Sequence, residues 1–173
     1  MQLTTKALIY ATEKHKNDVR KTTNEPYIHH PVAVASILLN VKKSKNSDLL
    51  ATCAYLHDVV EDTDATINDI RRDFGDDVAD IVSQVTSDKD EINRIGKTLY
   101  LKNKMASMSS YALRLKLADR LHNLNSMVES KADSYITQTL EIINHITLNR
   151  KLTKTHMKLI SDILLKINKL KNA

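Results

Sequence analysis

Tryptophan is absent from the 173 residues, phenylalanine and cysteine occur once each, and glycine and proline twice each. So little turn punctuation excludes a β-sandwich or barrel, and the doubly wound folds want more glycine for their phosphate loops. A single thiol has no intramolecular partner, so a disulfide framework is excluded. Cys53 lies in the apolar stretch Leu49 to Leu56, where it reads as core in a reducing, cytosolic setting. No run approaches the roughly 18 apolar residues of a membrane span, and the N-terminus has no basic segment followed by an apolar one. The expectation is a soluble, non-exported, all-α chain of about eight to ten helices. Its length suits one domain over 1–173 and leaves no room for two catalytic domains.

What is present in excess is positive charge, a net +5. Seven Lys or Arg and one Asp fall within Asn149 to Ala173, so the rest of the chain is close to neutral. In that segment Leu159, Ile160, Ile163, Leu164, Ile167 and Leu170 have helical spacing, so 149–173 reads as a basic helix packed on its own domain. The alternative is a tail that binds nucleic acid or a membrane surface; the segment has no aromatic residue, which argues against stacking or interfacial anchoring. Nothing in the residues separates a monomer from a homo-oligomer. Asp58 to Glu91 is the opposite case, with twelve acidic residues against three basic ones. Most of these read as the wet faces of surface helices, but the group beginning at Asp58 stands apart because a cation could compensate it.

No repeat or linker divides the chain. Helices are expected over Thr4–Asn17, Val32–Val41, Asp48–Val60, Thr66–Phe74, Asp76–Val85, Glu91–Met105, Tyr111–Val128, Asp133–Leu148 and Thr153–Leu170, with Thr22–Pro26 and Lys42–Ser47 as breaks. Pro31 suits a first helical turn, Thr66 an N-cap, and Gly75 the residue after a helix.

The chemistry concentrates in AYLHDVVEDT, Ala54 to Thr63. Residues four apart share a helix face, so His57 aligns with Glu61 and Asp58 with Asp62. Imidazole nitrogen and carboxylate oxygen together suit a borderline divalent ion such as manganese, iron or zinc, provided other helices add ligands. Two candidates are His30, directly before Pro31, and Asp119, flanked by Leu115, Leu117, Ala118 and Leu121, where an unpaired carboxylate is expensive to bury. An acidic pair at the end of a long helix opposes the macrodipole, and a role beside a metal would offset that cost. Glu61 or Asp62 could then act as general base toward water.

Three strings, PYIHHPVAVASIL at Pro26, AYLHDVVEDT at Ala54 and KLADRLHNL at Lys116, resemble the signature segments of the HD-domain hydrolases of the RelA/SpoT type. The likeness runs from Lys6 to about Met127, and the length is similar to that of the small stand-alone alarmone hydrolases. It implies a helical HD-domain bundle with one manganese ion on His30, His57, Asp58 and Asp119. It also implies Glu61 and Asp62 as the pair that handles the attacking water. The implied activity is removal of the 3′-pyrophosphate from guanosine tetra- or pentaphosphate (ppGpp, pppGpp), with nucleotide contacts from Arg20, Lys21, Arg94 and Asn123. The same metal box could serve another nucleotide: an adenosine alarmone, NADPH or a dNTP. Two details depart from the family pattern. Asn24 stands where a glycine is usual, in a turn that asparagine tolerates better than most residues. The doublet His29-His30 offers two ligands, of which His30 is taken because it precedes the proline.

Overall fold

A computed structural model of the chain describes residues 1–41, 45–127 and 132–172. Lys42 to Ser44 of the expected break, Val128 at an expected helix end and Ala173 lie outside the described residues. Eleven helices are found among the described residues and no strand, only an isolated bridge between Val19 and Pro26. The helices fall into two compact units, Met1–Thr86 and Ser87–Ala173.

The first unit holds α1 (Leu3–Lys14), α2 (His29–Val41), α3 (Ser47–Leu56), α4 (Val59–Asp62), α5 (Ile67–Phe74) and α6 (Asp76–Val85). α3 is its centre. Leu50, Ala51, Thr52, Cys53, Ala54 and Leu56 are all buried, and a helix apolar on every side has to be surrounded. α1, α2 and α6 supply that cover. Burial pushes the Cys53 thiol up to about 12, so it is packing material rather than a nucleophile. α5 starts on a full capping box between Thr66 and Asp69 and stops at Gly75, whose φ of 90° favours glycine. The turn between α1 and α2 closes with Arg20 N–H to the Glu25 carbonyl (2.8 Å), and Asn24 sits at φ 58°. Asparagine thus occupies the left-handed position that a glycine would fill.

The second unit holds α7 (Lys89–Ile95), α8 (Lys97–Ser107), α9 (Ser110–Asn125), α10 (Ala132–Asn149) and α11 (Lys154–Lys171). The single helix expected over Glu91–Met105 is two, because Gly96 adopts φ 85° and closes α7. α10 lies against α8 and α11 against α9. The buried side of α11 is Leu159, Ile160, Ile163 and Ile167, while Met157 and Leu165 face out. Arg150, between α10 and α11, donates to the carbonyls of Met105 (2.8 Å), Ala106 (3.2 Å) and Met108 (2.8 Å), closing the end of α8.

His156 ties α11 down. Its Nδ1 accepts from Thr153 N–H (3.1 Å) in a capping box, and its Nε2–H donates to the Ser110 carbonyl (3.0 Å) at the start of α9. Both nitrogens are committed in the neutral ring, and burial lowers its pKa below the ordinary 6.5. With the folded value below the unfolded one, the stabilisation is whole above about pH 6.5 and is lost as pH falls from there through the folded value. The thermal midpoint is therefore expected to drop on acidification below about pH 6.5, and more shallowly in His156→Asn. A parallel drop in both proteins would show that His156 is not its source.

Candidate metal centre

The ligand-type residues of the first unit come from two helix ends. α2 begins at His29 because the chain has just left the Arg20–Glu25 turn, and Tyr27 and His30 are tied there by a backbone bond (His30 N–H to Tyr27 carbonyl, 2.9 Å). The doublet separates in burial: His29 is exposed and His30 is 1% exposed. α3 stops at Leu56, so His57 and Asp58 form a two-residue joint before the single turn of α4. A continuous helix through Val60, as periodicity suggested, is not what forms.

The joint changes the expected alignment. Asp62 N–H still bonds to the Asp58 carbonyl (2.9 Å), keeping that pair one turn apart, whereas Glu61 N–H also bonds to Asp58 (3.1 Å) and not to His57. Glu61 and Asp62 lie in the first and only turn of a four-residue helix. The cost expected for acid at the end of a long helix therefore does not arise.

The rings of His30 and His57 lie 5.1 Å apart between centroids, and both point Nε2 at Asp58 Oδ2, from 3.3 Å and 3.0 Å. The Tyr27 hydroxyl donates to the same oxygen at 2.7 Å. Nδ1–H of His57 donates to the Ala54 carbonyl (2.8 Å), which in the neutral ring leaves a lone pair on Nε2. A lone pair facing a carboxylate oxygen at that distance is repulsive unless a cation stands with them. The donor set fits a divalent ion for that reason: oriented imidazole nitrogen, a carboxylate, and an outer hydrogen bond that fixes the tautomer. In the protonated ring Nε2 donates instead, and that charge on His57, with hydrogen bonds from His30 and His57, outweighs burial and holds the Asp58 carboxyl well below the usual range.

Asp62 is exposed as a residue. Even so, partial burial of its carboxyl, followed by the negative charges of Asp58 and Glu61, raises its pKa, and a hydrogen bond from Tyr27 takes back part of the rise. A carboxylate with raised proton affinity is the better base.

In the second unit, Asp119 is buried on α9, with Lys116 Nζ at 3.1 Å from Oδ2 and the Asn123 amide donating to Oδ1 at 2.7 Å. Asn123, expected at the nucleotide, thus spends its amide on a ligand-type carboxylate. Within the first unit, His30, His57 and Asp58 are imidazole and carboxylate donors of the kind that hold a divalent metal. The basic residues are less committed. Arg20 lies over the Tyr27 ring with Cζ 5.8 Å from its centroid, Lys21 is exposed, and Arg94 forms an exposed fork onto Glu91.

Sequence reasoning did not pick out Tyr27, Lys116 or His15. Tyr27 and Lys116 stood inside the quoted strings, yet an aromatic beside a proline and a lysine one turn before an aspartate carry no periodic signal of their own.

A mainly helical chain in which imidazole and carboxylate donors gather at buried helix ends has the make-up of a metal-binding helical domain. The HD-domain family model matches residues 7–151, and the chain belongs to that family. It is 34% identical over 148 residues to the guanosine-3′,5′-bis(diphosphate) 3′-pyrophosphohydrolase MESH1 of Drosophila melanogaster, covering 80% of this chain and 82% of the relative. The Xenopus tropicalis protein of the same description is 37% identical, covering 76% and 73%. A solved structure of a metazoan orthologue of SpoT, described as hydrolysing ppGpp and acting in starvation responses, superposes with a TM-score of 0.77. It shares 28% identity over 96% of both chains.

Proposed function

We propose that this chain is a divalent-metal-dependent hydrolase that removes the 3′-pyrophosphate from guanosine tetra- or pentaphosphate, giving GDP or GTP and pyrophosphate. One observation carries it: two oriented imidazoles and a tyrosine hydroxyl converge on a single Asp58 oxygen, in a chain similar to the Drosophila and Xenopus proteins named for that reaction.

His30, His57, Asp58 and Asp119 would hold one manganese ion per chain. When bound, such an ion polarises a phosphate oxygen and lowers the pKa of water toward neutrality. The remaining work falls to the protein. Asp62, with Glu61 beside it, accepts the proton of the attacking water as its oxygen bonds to phosphorus and the bond to the leaving oxygen breaks. Lys116 and Asn123 hold Asp119 as an oriented carboxylate. Arg20, Lys21 and Arg94 supply positive charge for the two diphosphates, Arg94 by exchanging Glu91 for phosphate. The lone buried thiol suits a cytoplasmic setting, and no helix among the described residues is long and apolar enough to cross a membrane. We take residues 1–173 as one functional domain, with 149–173 its packed basic helix.

The test is turnover by the purified protein of ppGpp, its adenosine counterpart, NADPH and dNTPs, with and without a chelator. The expected result is GDP and pyrophosphate from ppGpp, abolished by chelation and restored best by manganese, with the other nucleotides poor substrates. Faster turnover of one of those would reassign the substrate, and turnover indifferent to the chelator would refute the metal.

A further inference from the structure

We propose that Tyr27 is a positioning residue, held in place by His15 and Asp18, that fixes the orientation of the Asp58 carboxylate. The inference rests on the metal centre proposed above.

Three contacts lock the tyrosine. Its backbone N–H donates to the Asp18 carbonyl (2.9 Å), and its ring lies 4.7 Å from the His15 ring at a tilt of 34°. The Asp18 carboxylate in turn accepts from His15 Nδ1–H at 2.8 Å. One aspartate therefore fastens both the backbone of the tyrosine and the ring stacked on it. On its other side Tyr27 meets His30 edge-on, with centroids 5.8 Å apart.

Packing alone does not account for a histidine at position 15. The ring is buried and its Nε2 has no hydrogen-bond partner among the described residues. A buried unpaired nitrogen is costly, so an aliphatic or phenyl side chain would be the cheaper filler. The imidazole adds a ring whose plane is set by a hydrogen bond, and through it a defined angle for the phenol.

At the far end the hydroxyl donates to Asp58 Oδ2 (2.7 Å). A phenol has a single proton. Donated to Asp58, it takes one lone pair of Oδ2 and stops the carboxylate from rotating. Partners of this kind behind a metal ligand typically alter ion affinity 10- to 100-fold.

Tyr27→Phe removes only the hydroxyl and keeps the stack. Titration calorimetry with Mn2+ on the full chain is expected to show about 10- to 100-fold weaker binding, with the melting temperature of the metal-free protein unchanged. With ppGpp, kcat should fall while KM stays level. His15→Gln, which loses the stacked ring but not Tyr27, should shift ion affinity in the same direction by less. Equal Mn2+ affinity and equal kcat in Tyr27→Phe and wild type would overturn the proposal. If wild type binds no Mn2+, or binds it equally well after His57→Ala, the metal centre itself falls and the role of Tyr27 with it.

Discussion

Asp62→Asn is expected to keep its divalent ion and to lose about 10²- to 10⁴-fold in kcat on ppGpp. The substitution preserves shape, and the Asp62 backbone is held by its bond to the Asp58 carbonyl (2.9 Å), so the turn that carries it should be undisturbed. What disappears is a site for a proton. Burial and the charges of Asp58 and Glu61 raise the proton affinity of Asp62, and an asparagine amide has no comparable basicity. The amide removes one negative charge near the ion, but Asp62 is not one of the proposed ligands, whose own carboxylates still retain it. Elemental analysis of the variant and pyrophosphate release under saturating substrate check the two halves separately. Undiminished turnover would remove Asp62 from the mechanism. Loss of the ion together with turnover would make it a ligand in effect, not a base.

Truncation after Asn149 is expected to leave a chain without a cooperative thermal transition. α11 buries Leu159, Ile160, Ile163 and Ile167, and a fully buried aliphatic side chain contributes about 1.5–3 kcal/mol. Four of them approach the roughly 5–15 kcal/mol that is the whole net stability of an ordinary domain. The cut also removes Arg150 from three carbonyls at the end of α8, leaving them to find water. Circular dichroism melting of the truncated protein is the measurement. A cooperative melt near that of the intact chain, with activity kept and nucleic-acid or vesicle binding lost, would make the segment a tail with its own role.

Helix existence was legible where an apolar face met a cap. Thr66, Gly75 and Thr153 mark their boundaries in sequence as they do in structure, because a cap is a local hydrogen-bond arrangement that one residue type performs best. The breaks inside long apolar stretches were not. Gly96 was read through because a lone glycine costs a helix only about 1 kcal/mol, and its left-handed turn is set by how α7 and α8 pack. The joint at His57–Asp58 has no breaker residue at all; the chain stops hydrogen-bonding in register there because both side chains are committed elsewhere. The candidate ligands were visible as residue types out of place, a histidine before a proline and a carboxylate among leucines. Tyr27 was not visible, since its partner Asp58 lies 31 residues away and hydrogen bonds of that span leave no spacing in the chain.

That joint ties the depth of the first unit to its chemistry. His57 and Asp58 have a fully buried neighbour on either side, Leu56 and Val59, and the Ala54 carbonyl that orients the imidazole belongs to the same apolar helix. A methyl group added or removed at these neighbours displaces donor atoms by fractions of an ångström well before it melts anything. A mutational scan scored on turnover would therefore rank Leu56 and Val59 beside His57 and Asp58, although both are apolar and fully buried. The tolerance map of this interior would trace the outline of a coordination sphere.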